Sequence, residues 1–124
     1  MLLNKLFFID TLEKTEGLIR SDIHIDETHP IFEGHFPGQP VLPGVCMLEM
    51  LKEVIEFANA SKYQLESASS VKFLTMFTPP QITRALFEIK PAALPDDKLA
   101  VIATLKFEQQ VFLKFSGIYK PLAS

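Results

Sequence analysis

The chain has no tryptophan, a single cysteine and five glycines in 124 residues. One thiol, Cys46, excludes an internal disulfide and fits a reducing compartment, with the cytoplasm as the expected location. Twelve Lys and Arg against fifteen Asp and Glu leave a net charge of −3. That balance provides no cationic excess for wrapping a nucleic acid. No apolar run approaches the roughly 18 residues of a membrane span. The opening Met1 to Ile9 is briefly apolar, but Asp10 breaks it and no small-residue cleavage site follows. It therefore reads as a first structural element rather than a signal peptide.

Eleven phenylalanines and 48% hydrophobic residues are present. They describe a globular chain with a core of Phe, Leu, Ile and Val. The length predicts one domain over residues 1–124,. Leu18 to Ile25 alternates, with Ile19, Ser21, Ile23 and Ile25 on one side, as in a half-buried strand,. A helix is predicted from about Gly44 to about Ala60, with Pro43 at its start, where a missing N–H costs nothing. Val45, Leu48, Leu51, Val54, Ile55 and Ala58 form its apolar stripe, which Cys46, Met47, Met50 and Phe57 extend round most of the cylinder. Such a helix is buried. Lys52, Glu53, Glu56 and Asn59 suggest that its C-terminal half nears the surface. Strands are predicted at Val71–Phe77, Ile82–Lys90, Leu99–Phe107 and Val111–Tyr119, with turns at Pro91–Asp97 and Glu108–Gln110. The pattern is α+β, with one antiparallel sheet wrapped on one central helix.

The chemistry concentrates between Gly34 and Glu49. Three prolines and three glycines stiffen residues 34–44 around His35. An imidazole titrating near neutral pH can take a proton, although a turn histidine bonded to backbone is the plainer reading. Glu49 lies six residues past Pro43, about 9 Å along the helix. An apolar setting would hold its carboxyl protonated as an acid, whereas a pair with Lys52 at i+3 is the structural alternative. Free N–H groups at Gly44 and Val45, at the positive end of the helix, suit a carbonyl oxygen gaining charge. Gly44 has no side chain to obstruct a ligand. Cys46, among apolar residues, reads as core rather than nucleophile. His29 and His35 lack a third ligand at suitable spacing, so no metal is expected, and His24 is placed on the surface.

The segment His35-Phe36-Pro37-Gly38-Gln39-Pro40-Val41-Leu42-Pro43-Gly44-Val45, with Glu49 following, closely resembles the FabZ-type β-hydroxyacyl-[acyl-carrier-protein] dehydratases. The similarity is strongest over about residues 29 to 51. It implies the hotdog fold and dehydration of a 3-hydroxyacyl thioester to a trans-2-enoyl thioester, in fatty-acid or polyketide and aryl-polyene-like biosynthesis. By this resemblance His35 is the α-proton base and Glu49 handles the departing hydroxyl. The Gly44 N–H would hold the thioester carbonyl, with Val45, Phe36 and Pro43 against the substrate. It further implies a homodimer or dimer-based oligomer that shares each site between protomers, an acyl-carrier-protein partner and no cofactor. Lys62, Lys72, Arg84, Lys90 and Lys114 are candidates for receiving the acidic carrier. The chain departs from the family pattern at Glu53, where Gln is usual, and at Thr78-Pro79-Pro80-Gln81, where a Pro-Gly-Asp turn is usual. A hotdog thioesterase and a non-catalytic acyl-binding subunit are the rival readings.

Overall fold

The computed structural model describes residues 1–33 and 38–122. His35 and Phe36 fall outside these residues. Chain order runs β1 (Phe7–Ile9), β2 (Glu13–Thr15), β3 (Leu18–Ile25), α1 (Gly44–Asn59), β4 (Tyr63–Phe73), β5 (Arg84–Ala93), β6 (Leu99–Phe107) and β7 (Gln110–Pro121). Six of the strands form one antiparallel sheet in the order β1-β3-β5-β6-β7-β4, and β2 pairs with β3. The inward row Ile19, Ser21, Ile23 and Ile25 of β3 is buried as its alternation predicts.

The sheet holds α1 in its concave face. Met47, Met50, Leu51, Val54 and Ile55 join Ile19, Ile23, Phe87, Ile89, Leu105 and Phe115 in one core. At about 1.5–3 kcal/mol for each fully buried large apolar side chain, this seam is the main support of the helix. Pro43 stands at its N-terminus in extended conformation, and Ala60, left-handed at φ 50°, ends it.

Two features of α1 overturn the sequence reading. The C-terminal half does not turn outward at Glu53 and Glu56, which are 1% and 7% exposed. Glu53 accepts N–H bonds from Leu2 and Leu3 at 2.8–3.0 Å, and Glu56 accepts the Tyr63 N–H at 2.9 Å. Backbone donors from neighbouring segments make these buried carboxylates tolerable. Conversely, Val45 and Phe57, assigned to the apolar cylinder, are 74% and 56% exposed.

The strand limits also shift. β4 begins at Tyr63 and stops at Phe73 rather than spanning Val71–Phe77. Its Gln-Leu-Glu-Ser-Ala-Ser stretch is exposed on both faces, so no alternation marks it. Backbone pairing with β7 alone makes it a strand. β5 starts two residues later than predicted and continues through Pro91, opposite Val101 of β6. The β3 ladder ends at Ile89, so β5 is an edge from there on and tolerates proline,.

Candidate active site

The site is built from the first two turns of α1. Val45, Leu48, Glu49 and Lys52 follow the i, i+3, i+4, i+7 spacing of one helix face. With Leu65 of β4 and Tyr119 of β7 they line a cavity of about 180 Å³. Leu65 and Tyr119 are cross-strand partners, so the sheet supplies the opposite wall at a fixed register.

At the start of the helix, Pro43 offers no side-chain cap. Among the described residues, the Gly44 and Val45 N–H groups meet no acceptor, while Cys46 N–H already bonds to Pro43 O at 3.0 Å. The approach to Gly44 is less open than the sequence suggests. A Cβ built there would lie 2.7–3.0 Å from three ring carbons of Phe73, at the end of β4. Glycine at this position is what lets the ring seat against the helix. Phe73 itself is 50% exposed, so its ring is not locked on the outward side.

Glu49 sits with its side chain 39% exposed and Lys52 Nζ 3.2 Å from Oε2. The i+3 ion pair therefore exists alongside the features expected of an acid. Burial raises the Glu49 pKa first, and a hydrogen bond with Glu53 raises it further, while Lys52 pulls it down. The net direction is upward. Glu53 moves the opposite way: burial opposes its charge, but the bonds from Glu49, Leu2 and Leu3 outweigh that cost.

Burial and then the Glu49 charge push the Cys46 thiol up, which keeps it protonated and fits its core assignment. Tyr119, likewise driven up by burial, then Glu49 and Glu56, stays a neutral phenol beside the cavity. Nothing near Tyr119 in the sequence marks it as a site residue, because the β7 register alone brings it there. Lys52, weighed in the sequence only as a partner for Glu49, is a wall of the same cavity. His24 lies elsewhere on exposed β3, with Nδ1 2.7 Å from Asp10 Oδ1 and its ring stacked on Phe8. His29 Nδ1 accepts the Ile31 N–H at 3.0 Å.

Of the five basic candidates, Lys72 and Lys114 are direct cross-strand neighbours on the exposed side of β4 and β7. Among the described residues neither enters an ion pair. Lys72 adjoins Phe73 in β4, but alternation turns its side chain to the face of the sheet opposite the ring that meets Gly44,. Arg84 and Lys90 stand on β5, two strands beyond β7, and Arg84 is engaged over the Phe107 ring at 5.7 Å. Lys62 lies in the connection before β4.

An antiparallel sheet wrapped on one buried helix, with a carboxyl of raised pKa near the start of that helix and N–H groups there that meet no acceptor among the described residues, defines a hotdog-fold protein equipped for acid–base chemistry. The sequence model of the ApeI-like family, described as ApeI dehydratase, matches residues 11–94. A 3-hydroxyacyl-[acyl-carrier-protein] dehydratase FabZ of Clostridium acetobutylicum is 32% identical over 115 residues, spanning 86% of this chain and 82% of that protein. The FabZ of Mannheimia succiniciproducens is 30% identical over 95 residues, covering 77% of this chain and 58% of its relative. Among solved structures, a chain of the dehydratase heterocomplex ApeI:P from Xenorhabdus doucetiae superposes with a TM-score of 0.73 at 20% identity, over 90% of this chain and 96% of that one. The chain belongs to the FabZ-type hotdog dehydratases, in the ApeI-like family. These are lyases that remove water from 3-hydroxyacyl thioesters.

Proposed function

We propose that residues 1–124 form one hotdog domain that dehydrates a 3-hydroxyacyl thioester, carried on acyl carrier protein, to the trans-2-enoyl thioester. The observation that carries the assignment to this site is Glu49, its pKa raised by burial, lining one cavity with Val45 at the start of α1. In the proposed reaction the thioester carbonyl docks at the Gly44 and Val45 N–H groups, against Pro43 and Phe36. Its enolate is stabilised by those donors and by the helix dipole. His35 removes the α-proton, and Glu49 gives its proton to the departing hydroxyl, which leaves as water. Both steps move only protons, so the reaction needs no cofactor.

The outer edge of β4 supports a homodimer or a dimer-based assembly. Among the described residues no strand covers that edge, and Leu65, Val71, Phe73, Leu74 and Met76 are exposed along or just beyond it. A long exposed edge with apolar side chains is a template for a second strand. In this reading each site takes His35 from one protomer and Glu49 from the other. Lys72 and Lys114, side by side across β4 and β7 and without an ion-pair partner among the described residues, would meet the acidic carrier,. A single buried thiol and the absence, among the described residues, of a helix able to cross a membrane support action in the cytoplasm.

The test is turnover of purified protein on 3-hydroxyacyl and enoyl thioesters of acyl carrier protein, with enoyl absorbance and free thiol followed together. Alkene formation without thiol release is expected. Thiol release alone would identify a thioesterase, and no turnover would point to a non-catalytic acyl-binding subunit.

A further inference from the structure

Tyr119 is a large side chain that the reaction outlined above does not use, yet it borders the same cavity as Glu49. Of the six residues lining that cavity, five reach the surface. Val45 is 74% and Leu65 40% exposed, and Leu48, Glu49 and Lys52 are half-buried. Tyr119 alone is buried, so its ring closes the inner end. The strands on either side fix its place, since Leu65 of β4 and Leu99 of β6 both pair with it. Behind it stands Phe115, four residues earlier on the same face of β7, with 5.8 Å between the ring centroids,. Gly117 lies between the two, and a Cβ there would fall 2.7 Å from Phe115 Cζ. A strand glycine often marks such a close approach. Here it lets the Phe115 ring lean along the strand and brace Tyr119.

That position bears on which substrates fit. A hydroxyl meeting Glu49 puts the β-carbon of the substrate beside it, and the acyl tail continues into the adjoining space. The walls at Val45, Leu48 and Leu65 are aliphatic and suit a hydrocarbon. The space is small. Its volume of about 180 Å³ falls below the roughly 300–1,000 Å³ of pockets that take drug-sized ligands,. A second strand on the β4 edge would cover the open side and leave Tyr119 at the inner end.

We propose that Tyr119 is a specificity-determining residue: its ring, braced by Phe115 across Gly117, stops the acyl tail and restricts the site to short 3-hydroxyacyl thioesters. The inference rests on reading Glu49 as the group that meets the substrate hydroxyl. It assigns the length of the tail, which the motif from His35 to Glu49 leaves open.

The test is kcat/KM for 3-hydroxybutyryl, 3-hydroxyhexanoyl and 3-hydroxydecanoyl thioesters of acyl carrier protein. Wild-type protein should favour the two shorter chains. One methylene more or less in a fitted apolar pocket changes kcat/KM by about 10–200-fold. The decanoyl-to-hexanoyl ratio should therefore rise by at least about 10-fold in Tyr119→Leu, which shortens the wall. A ratio taken within one variant cancels any loss of folded protein. Tyr119→Phe keeps the ring and should give the wild-type ratio. Three results would overturn the proposal: equal use of hexanoyl and decanoyl chains by the wild type, an unchanged ratio in Tyr119→Leu, or the same rise in Tyr119→Phe. The first stands even if Tyr119→Leu fails to fold. Wild-type protein inactive at every chain length would overturn the functional reading itself.

Discussion

Gly44→Ala separates the chemistry of the helix start from its structural role. A methyl group there would lie 2.7 Å from Phe73 Cζ and 2.9 Å from Cε1, closer than carbon atoms tolerate. The obstacle is the far end of a side chain that is 50% exposed, so the ring can swing outward. Half of a phenylalanine's burial is worth about 1–1.5 kcal/mol. Alanine at a helical position recovers about 0.5–1 kcal/mol over glycine. The two nearly cancel, and the Tm should stay within about 4 °C of wild type. Activity should behave otherwise. A carbonyl reaching the Gly44 N–H needs the Phe73 ring to move aside, and the methyl would then stand in the space the ring vacates; loss of one such donor costs about 10²–10³ in rate,. A drop of at least about 10-fold in kcat/KM is expected, measured by enoyl absorbance. Adding Phe73→Ala removes the clash but leaves the methyl, so the double variant should stay slow. Wild-type kcat/KM in Gly44→Ala, or recovery in the double variant, would refute carbonyl docking at this N–H.

The remaining expectations concern the pair of catalytic candidates, the core, acid stability and the carrier. His35→Ala and Glu49→Gln should each lower kcat by about 10²-fold or more without changing the far-ultraviolet circular dichroism. Leu51 is fully buried. Leu51→Ala should therefore cost about 2–5 kcal/mol in urea unfolding, and a loss under about 1 kcal/mol would contradict the packing. Because the folded Glu53 pKa lies below its ordinary value of 4.5, its bonds to Leu2 and Leu3 stabilise the fold above that pH and are lost as the pH falls through the folded pKa,. Acid titration followed by amide exchange at Leu2 and Leu3 should show this segment loosening below pH 4.5, and in Glu53→Gln that step should vanish. Lys72→Glu with Lys114→Glu should raise KM several-fold for a carrier-bound substrate and leave a pantetheine thioester unaffected, with the difference shrinking at high salt.

The two readings of Glu49 were never exclusive. Its ion pair with Lys52 and the burial that raises its pKa are competing pulls on one carboxyl. Hydrophobic periodicity could place Glu49 on α1. It could not show that Glu53, one turn later, would be buried and already bonded to the backbone of residues 2 and 3. The sequence instead suggests a C-terminal half nearing solvent, because four polar residues there look like a wet face and the donors that hold Glu53 lie some fifty positions away.

Local interactions were enough for several elements. Pro43 at the start and the apolar stripe of α1 mark a helix that runs from Gly44 to Asn59, because capping and amphipathic spacing act within a few residues. The alternation of β3 and the limits of β6 follow from a two-residue period against one buried face. The motif from His35 to Glu49 carried the family, and its proline-rich loop lies in the primary sequence. Long-range pairing decided the rest. β4 has no pattern of its own and is a strand because β7 lies beside it. Phe73 reaches Gly44 only through that pairing, and Tyr119 reaches the cavity beside Glu49 only through its register with Leu65. The raised pKa of Glu49 belongs to the same class. A pKa reports every charge and donor within reach, and those around Glu49 and Glu53 come from the helix and from the amino-terminal segment.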